Sequence, residues 1–266
     1  MKNHSIIFLL LACLACSKKA EKNASSDTTA TMPYTAQAVK QPVQAKEMGD
    51  TTYGVLDIDG HQLEFTPIEE SEYKKYYRSG DKDESNCEEF GGDCEAALDN
   101  YYAQKYANTM TRSGPTLSVR IRNGKQVDFT TDTSISEGGT QYYYRGQLKS
   151  GFHIIQEIYL EGSGYTLVNI NTGERTKIWG MPVESPDHKR VIVYSFDLMA
   201  GYNSNDLQLF KIQNGNMVKE WEKEFSTWGP NLPYWQDNQT VYLKQGTQGS
   251  QGDVLYTYSA MKIINK

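Results

Sequence analysis

Short stretches in which apolar and polar residues alternate, each broken by a turn of Asn, Asp or Gly, recur along most of the chain. Alternation with period two puts successive side chains on opposite faces of a strand. The turn residues reach positive φ at least cost, so each stretch predicts a β-hairpin. Four of them share an isoleucine just before the turn and a glycine in it: Ile58 and Gly60, Ile121 and Gly124, Ile170 and Gly173, Ile212 and Gly215. They cover residues 52–68, 117–129, 165–179 and 207–221, with Val55, Ile58 and Leu63 as expected core residues of the first. A further strand pair is expected over 139–148 and 152–160, turning near Ser150-Gly151.

Two hairpins match closely. YTLVNINTGERTKIW begins at residue 165, and its Leu167, Ile170, Gly173, Lys177 and Trp179 recur 42 residues on as Leu209, Ile212, Gly215, Lys219 and Trp221. A fixed period of that size signals a repeat architecture. A second shared piece follows each copy. Trp179-Gly180-Met181-Pro182 leads to SPDHKRVIVYSF, and Trp228-Gly229-Pro230 leads to WQDNQTVYLK, with Asp187 and Asp237 each four residues before a valine. Strand, Asp turn, strand and hairpin follow in the order of a β-propeller blade. The run SPDHKRVIVY resembles the Ser-Pro-Asp-Gly-Lys turn of TolB-like and oligopeptidase-type propeller blades, with His188 where that family has Gly; the resemblance covers residues 165–244. At this repeat length residues 51–266 make about five blades. The fold expected is all-β, a small or irregular propeller-like repeat of hairpins, with a β-sandwich as the alternative.

Residues 69–110 interrupt the pattern. EESEYKKYYRSG predicts a short helix, its acids first and its bases later as the helix dipole prefers, and a second helix is expected over about 95–107. Between them lies an acidic loop carrying Cys87, followed by Cys94. Paired thiols of an exported protein oxidise, so a disulfide is expected to staple this insertion, contributing about 2.5 kcal/mol in the chain-entropy model. The acids Asp81, Asp83, Glu84, Glu88, Glu89 and Asp93 do not fit a calcium loop: Asn86 stands where Gly is needed and Gly92 where the bidentate Glu belongs. No metal or other cofactor is expected.

Composition narrows the class. Nineteen tyrosines and four tryptophans contribute to 12% aromatic residues, a bias that suits sheets. The formal charge of -6, with bases scattered among acids, argues against a nucleic-acid partner.

The N-terminus carries an address. Lys2, the apolar run IIFLLL and small residues around Cys13 and Cys16 form an export signal too short to span a bilayer, which needs about 20 residues. LLACLACSKK resembles a bacterial lipoprotein signal, in which a leader is cut before a cysteine that becomes lipidated. Cys13 has the more usual residues ahead of it. Cutting before Cys16, which makes residues 1–15 the signal peptide, keeps a longer apolar core and leaves an even pair of cysteines downstream, so Cys16 is favoured with Cys13 as the alternative. An ordinary secretory signal cut near Ala15, without lipid, is the other reading. Residues 16–50, with almost no large aliphatics, read as the lipidated residue and a disordered tether of about 30 Å. The β-rich domain is then 51–266, held in the cell envelope by a lipid anchor, most naturally at the outer membrane.

No stretch carries a catalytic motif. His61, His153 and His188 have no Ser, Cys or Glu at a catalytic spacing, and Asp187 has a structural role capping its turn. Trp228, Tyr234 and Trp235 crowd the loop WGPNLPYW, where large rigid aromatics suit stacking on a glycan or anchoring a protein partner. Trp179, Trp221 and Trp235 also fall at or near repeat positions, which suits core packing. The reading is a non-enzymatic, membrane-anchored lipoprotein with a binding or envelope-scaffold role. The alternative is an exported hydrolase whose site is assembled from distant residues.

Overall fold

Each predicted hairpin forms, and the hairpins join into wider sheets. The computed structural model describes residues 53–76, 94–131 and 134–266. In chain order the elements are β1 (Gly54–Ile58), β2 (His61–Pro67), α1 (Glu70–Tyr76), α2 (Cys94–Lys105), β3 (Met110–Ser113), β4 (Thr116–Arg120) and β5 (Gln126–Thr130). There follow β6 (Gln141–Leu148), β7 (Phe152–Tyr159), β8 (Gly162–Asn169), β9 (Arg175–Ile178), β10 (Met181–Glu184) and β11 (Arg190–Ser195). The last are β12 (Asp206–Gln213), β13 (Asn216–Glu224), β14 (Gly229–Trp235), β15 (Thr240–Gln248) and β16 (Val254–Asn265). The protein is all-β with a small helical part.

Among the described residues four antiparallel sheets follow one another along the chain. The first is β3-β4-β5, the second β6-β7-β8-β9 and the third β10-β11-β12-β13. The fourth, β14-β15-β16-β2-β1, adds the N-terminal hairpin to the C-terminal strands. The sheets pack face to face in series. Leu117, Val119 and Phe129 of the first meet Tyr144, Ile155 and Val168 of the second. The other face of the second supplies Phe152, Ile154 and Leu167, which pack on Val191, Val193 and Phe210 of the third. The third then offers Ile192, Leu207, Leu209 and Trp221 to Leu63, Phe65, Val241, Leu243 and Met261 of the fourth. The inner sheets are thus buried on both faces, as blades are in a propeller. Among the described residues no such cluster joins the fourth sheet to the first. The series is four sheets long where repeat length suggested five, because the helical insertion takes up about the length of one. It also differs from a sandwich, which has two.

The 42-residue repeat is structural. Residues 165–179 lie on β8 and β9, residues 207–221 on β12 and β13, the third and fourth strands of successive sheets. Gly173 and Gly215 turn at φ 80 and 79. Both Asp turns recur too: Asp187 Oδ1 accepts from Ser185 Oγ (2.8 Å) and the Lys189 N–H (3.1 Å), and Asp237 Oδ1 from the Gln239 and Thr240 N–H groups (2.7 Å each). His188 takes the left-handed conformation its glycine counterpart would, at φ 59, with Nδ1 at 3.0 Å from Glu184. The glycines after the two tryptophans sit at close approaches: a Cβ on Gly180 would lie 1.8 Å from the Tyr194 carbonyl oxygen, and one on Gly229 2.2 Å from Asn205 Oδ1.

Two expectations need correction. Val55 is exposed, because Leu56 takes the inward face of β1 and alternation turns its neighbour out. Trp179 is 61% exposed, whereas Trp221 is 1% exposed. In the first copy Val168 pairs with Arg175 and Tyr165 with Ile178. In the second, the tight Asn214-Gly215 turn sets Gln213 against Asn216, and a register shift between Leu209 and Phe210 sets Leu209 against Trp221. The return strands differ in register, and a slip of an odd number of residues exchanges faces. Ile178, opposite Tyr165, therefore takes the inward face of its return strand, and Trp221, opposite Leu209, takes that of the next.

Chemical denaturation separates the two tryptophans. Trp221→Ala is expected to cost about 3 to 5 kcal/mol, and Trp179→Ala less than about 0.5 kcal/mol. Equal losses would contradict this register.

Candidate functional site

Of the three candidate aromatics Trp228 is built into the core, while Tyr234 and Trp235 are half-buried. Trp228 is 3% exposed, with Phe225 at 4.0 Å and Phe65 at 5.9 Å between ring centroids, and its carbonyl accepts from Asn205 Nδ2 at 2.8 Å. Trp235 is half-buried against the same cluster and donates its indole N–H to the Val183 carbonyl at 3.0 Å. Tyr234 lies against Tyr73 of α1 at 5.4 Å. The physical reason is the Gly229-Pro230 strand start: β14 is the strand of the fourth sheet that abuts β11, and its aromatics seal that junction. Trp228 is a packing residue and not the stacking surface expected of it.

Cys16 and Cys13 lie outside the described residues. So do Cys87 and the acidic run from Asp81 to Asp93, while Cys94 opens α2. His153 is buried and structural. Its Nε2 faces the Arg120 carbonyl at 3.0 Å, which can only accept, so Nε2 carries the hydrogen and Nδ1 accepts from Tyr144 Oη at 3.1 Å. Burial pushes its pKa down, keeping the ring neutral.

A concave site lies elsewhere, where α2 covers the free edge of β6 and Arg112 reaches it from β3. An uncovered edge strand leaves backbone groups without partners, and here two side chains supply them. Asp99 of α2 accepts the Tyr144 N–H through Oδ1 (3.0 Å) and Arg112 Nε through Oδ2 (2.8 Å). Arg112 in turn donates Nη2 to the Tyr142 carbonyl at 2.7 Å. Alternation then sends Tyr142 against Phe129 of the first sheet, at 5.4 Å, and Tyr143 to the opposite face. Two guanidinium groups flank the Tyr143 ring, Arg145 at 5.1 Å and Arg112 at 5.9 Å from its centroid. Its hydroxyl donates to Gln141 Oε1 at 2.7 Å.

The resulting groove has a volume of about 370 Å³, with Tyr143, Arg112, Asn100, Gln141 and Thr131 among its walls. That is the size of a small-molecule site. Its chemistry is an aromatic ring amid planar amides, a hydroxyl and a guanidinium whose charge Asp99 balances. Such a lining can hold a ligand that is apolar on one face and rich in hydroxyls at its rim.

A second cluster links a buried acid to an exposed one, Glu222 on the edge strand β13. Asp206 is 1% exposed at the start of β12, and Gln208 Nε2 bridges it to Glu222, at 3.4 Å from Asp206 Oδ2 and 2.8 Å from Glu222 Oε1. Burial, then the charge of Glu222, pushes the Asp206 pKa up to about 7. Burial acts on Glu222 in the same direction, but hydrogen bonds from Lys219 and Gln208 outweigh it and hold that carboxyl below its ordinary value. Below about pH 7 Asp206 is therefore the protonated partner of an ionised Glu222.

No family model matches this chain, and no curated protein is significantly similar to it. The functional reading therefore rests on the residues themselves.

The folded state holds the Asp206 proton more tightly than the unfolded chain does. Stability is therefore expected to fall as pH rises from about 4 to about 7, by up to about 1.4 kcal/mol per pH unit, with no further change from this group above that range. Asp206→Asn should abolish that slope in denaturant unfolding between those pH values. Identical pH profiles for parent and variant would overturn the assignment.

Proposed function

We propose that the protein is a non-catalytic, lipid-anchored binding protein of the bacterial cell envelope that holds a neutral oligosaccharide in the groove beside α2. The observation that carries the reading is the lining of that groove. A sugar ring presents an apolar face of C–H groups and a rim of hydroxyls, matching the face of Tyr143 and the side chains of Asn100, Gln141, Thr131 and Arg112. The charge of Arg112 is balanced by Asp99 at 2.8 Å, so the site favours neutral ligands over anionic ones. The rigid sheets behind it keep the lining in place before a ligand arrives, which lowers the ordering cost of binding.

The anchor is read from LLACLACSKK, with Cys16 as the acylated residue and Cys13 as the alternative, and the outer membrane as its site. Residues 17–50 would be the tether, and a Cys87–Cys94 disulfide would staple the segment between the helices. Mass spectrometry of the mature protein should find an acyl-modified N-terminal Cys16 and, without reduction, Cys87 linked to Cys94. An unmodified N-terminus overturns the anchor, and two free thiols overturn the disulfide.

Glycan-array screening followed by titration calorimetry tests the ligand. The parent should bind neutral oligosaccharides, and Tyr143→Ala, checked for folding by circular dichroism, should bind at least about tenfold more weakly, a loss of about 1.4 kcal/mol. A folded parent that binds no oligosaccharide, or a variant that binds equally well, refutes the groove as a glycan site.

A further inference from the structure

Four exposed apolar side chains gather at one end of the sheets. Leu160, at the turn from β7 to β8, is 62% exposed, and Trp179, following β9, is 61% exposed. Met199 and Tyr202, in the loop from β11 to β12, are exposed as well. These loops are neighbours. Asn203 Oδ1 accepts the Ser163 N–H at 3.1 Å, and a Cβ on Gly162 would lie 3.7 Å from the Tyr202 carbonyl oxygen. Trp179 enters the same end because Gly180 sits against the last residues of β11, Tyr194 and Ser195.

The loop that carries Met199 and Tyr202 is held in shape. Asp197 accepts the N–H groups of Ala200 (3.0 Å), Gly201 (2.9 Å) and Asn203 (2.6 Å). A bound loop that projects a methionine and a tyrosine into water costs solvation without repaying it in packing, which marks a surface that meets something apolar.

The direction of β1 identifies what it meets. Phe196, just beyond β11, would contact Cβ atoms placed on Gly229 at the start of β14 and on Gly246 near the end of β15; the latter also approaches Val254 at the start of β16. The start of β16 therefore belongs to the end that bears the apolar loops. β2 is antiparallel to β16 and β1 antiparallel to β2, so β1, like β16, begins at its end facing those loops and runs away from them. Tyr53 and Gly54, the first described residues and the ones nearest in sequence to the proposed lipid anchor, thus lie on that side of the fourth sheet.

We propose that this end of the domain seats on the bilayer to which the chain is anchored, with Leu160, Trp179, Met199 and Tyr202 entering the headgroup region. The seat deepens the anchoring reading and rests on it. Tryptophan and tyrosine are the side chains that partition to that depth, an apolar body below and a polar tip at the headgroups, with leucine and methionine beside them. The exposed carboxylate beside Leu160 is Glu161, and Asp197 lies in the neighbouring loop. Acids in these places give no attraction to anionic lipid, so the partner is a zwitterionic surface and contact is held by apolar burial.

The test uses the mature full-length protein, its N-terminal acyl group checked by mass spectrometry, in phosphatidylcholine vesicles with brominated acyl chains. Subtracting the fluorescence of Trp179→Phe isolates Trp179, since Trp221 and Trp228 are buried and common to both. The isolated signal is expected to fall at least about twofold in brominated vesicles, and Leu160→Ser with Tyr202→Ser should restore most of it. Val218→Ser, at an exposed apolar residue of β13 near the Asn214-Gly215 turn, should change nothing. An acylated protein whose Trp179 signal is not quenched overturns the seat and leaves the anchor standing. A protein that proves unacylated overturns the anchor; the same vesicles at saturating concentration then decide the seat alone, quenching supporting it and its absence refuting it.

Discussion

The seven-residue pairing of β2 with β16 is the constraint on which the other contacts depend. It sets Pro67 against Ser259 and His61 against Asn265, so the first hairpin and the last strand of the described chain lie side by side. Without it the fourth sheet would lose β1 and β2, and Leu56, Leu63 and Phe65 would leave the cluster that covers Trp221 and Trp228. That cluster is what the third sheet packs against, and the third is what the second packs against. Local hairpins can form early, but this pairing closes a loop of most of the domain, an entropic cost met only after the intervening sheets are in place. The fold is therefore a series of locally encoded units whose stability depends on one distant contact.

Stacking sheets in series also demands polar solutions inside. The second and third sheets have no solvent face along their middle strands, so their polar side chains must pair with one another. His153 does so between Tyr144 and the Arg120 carbonyl, and Glu157 accepts from Thr166, Tyr159 and Lys177. Asp206 does so with Gln208, whose Nε2 also reaches the exposed Glu222 of the edge strand, and its raised pKa couples this part of the third sheet to pH. Each solution specifies register as well as energy, because a strand slipped by one residue would turn these groups to the wrong face.

The features legible in the sequence were those decided within a few residues. Asp59-Gly60, Gly124 and Asn214-Gly215 take positive φ, and their composition announced it; the Asp187 and Asp237 turns were equally local. The register of β13 was not legible, because a shift between Leu209 and Phe210 has no signature in residue type, and so matching tryptophans in sequence became one exposed and one buried side chain. The candidate groove was missed for a related reason. Asp99, Arg112 and Tyr143 come from a helix and strands of two different sheets, and only the packing of α2 over the edge of β6 brings them together. One signal was present. Three successive tyrosines, Tyr142, Tyr143 and Tyr144, followed by an arginine, place aromatics on both faces of one strand, more than an edge strand can bury on its own.

Geometry relates the two proposed surfaces. Gln141, on the groove, pairs with Ile158, two residues before Leu160 on the proposed membrane seat. About two residues of strand span only some 7 Å, so the groove opens close to the plane in which the apolar loops would lie. A sugar held against Tyr143 would then sit at headgroup height, beside the bilayer rather than out in the aqueous space. Such an arrangement restricts the ligand's approach to directions along the membrane surface. It would also give the proposed anchor a role beyond retention: together with the proposed seat it would set the height and orientation at which the groove meets a glycan.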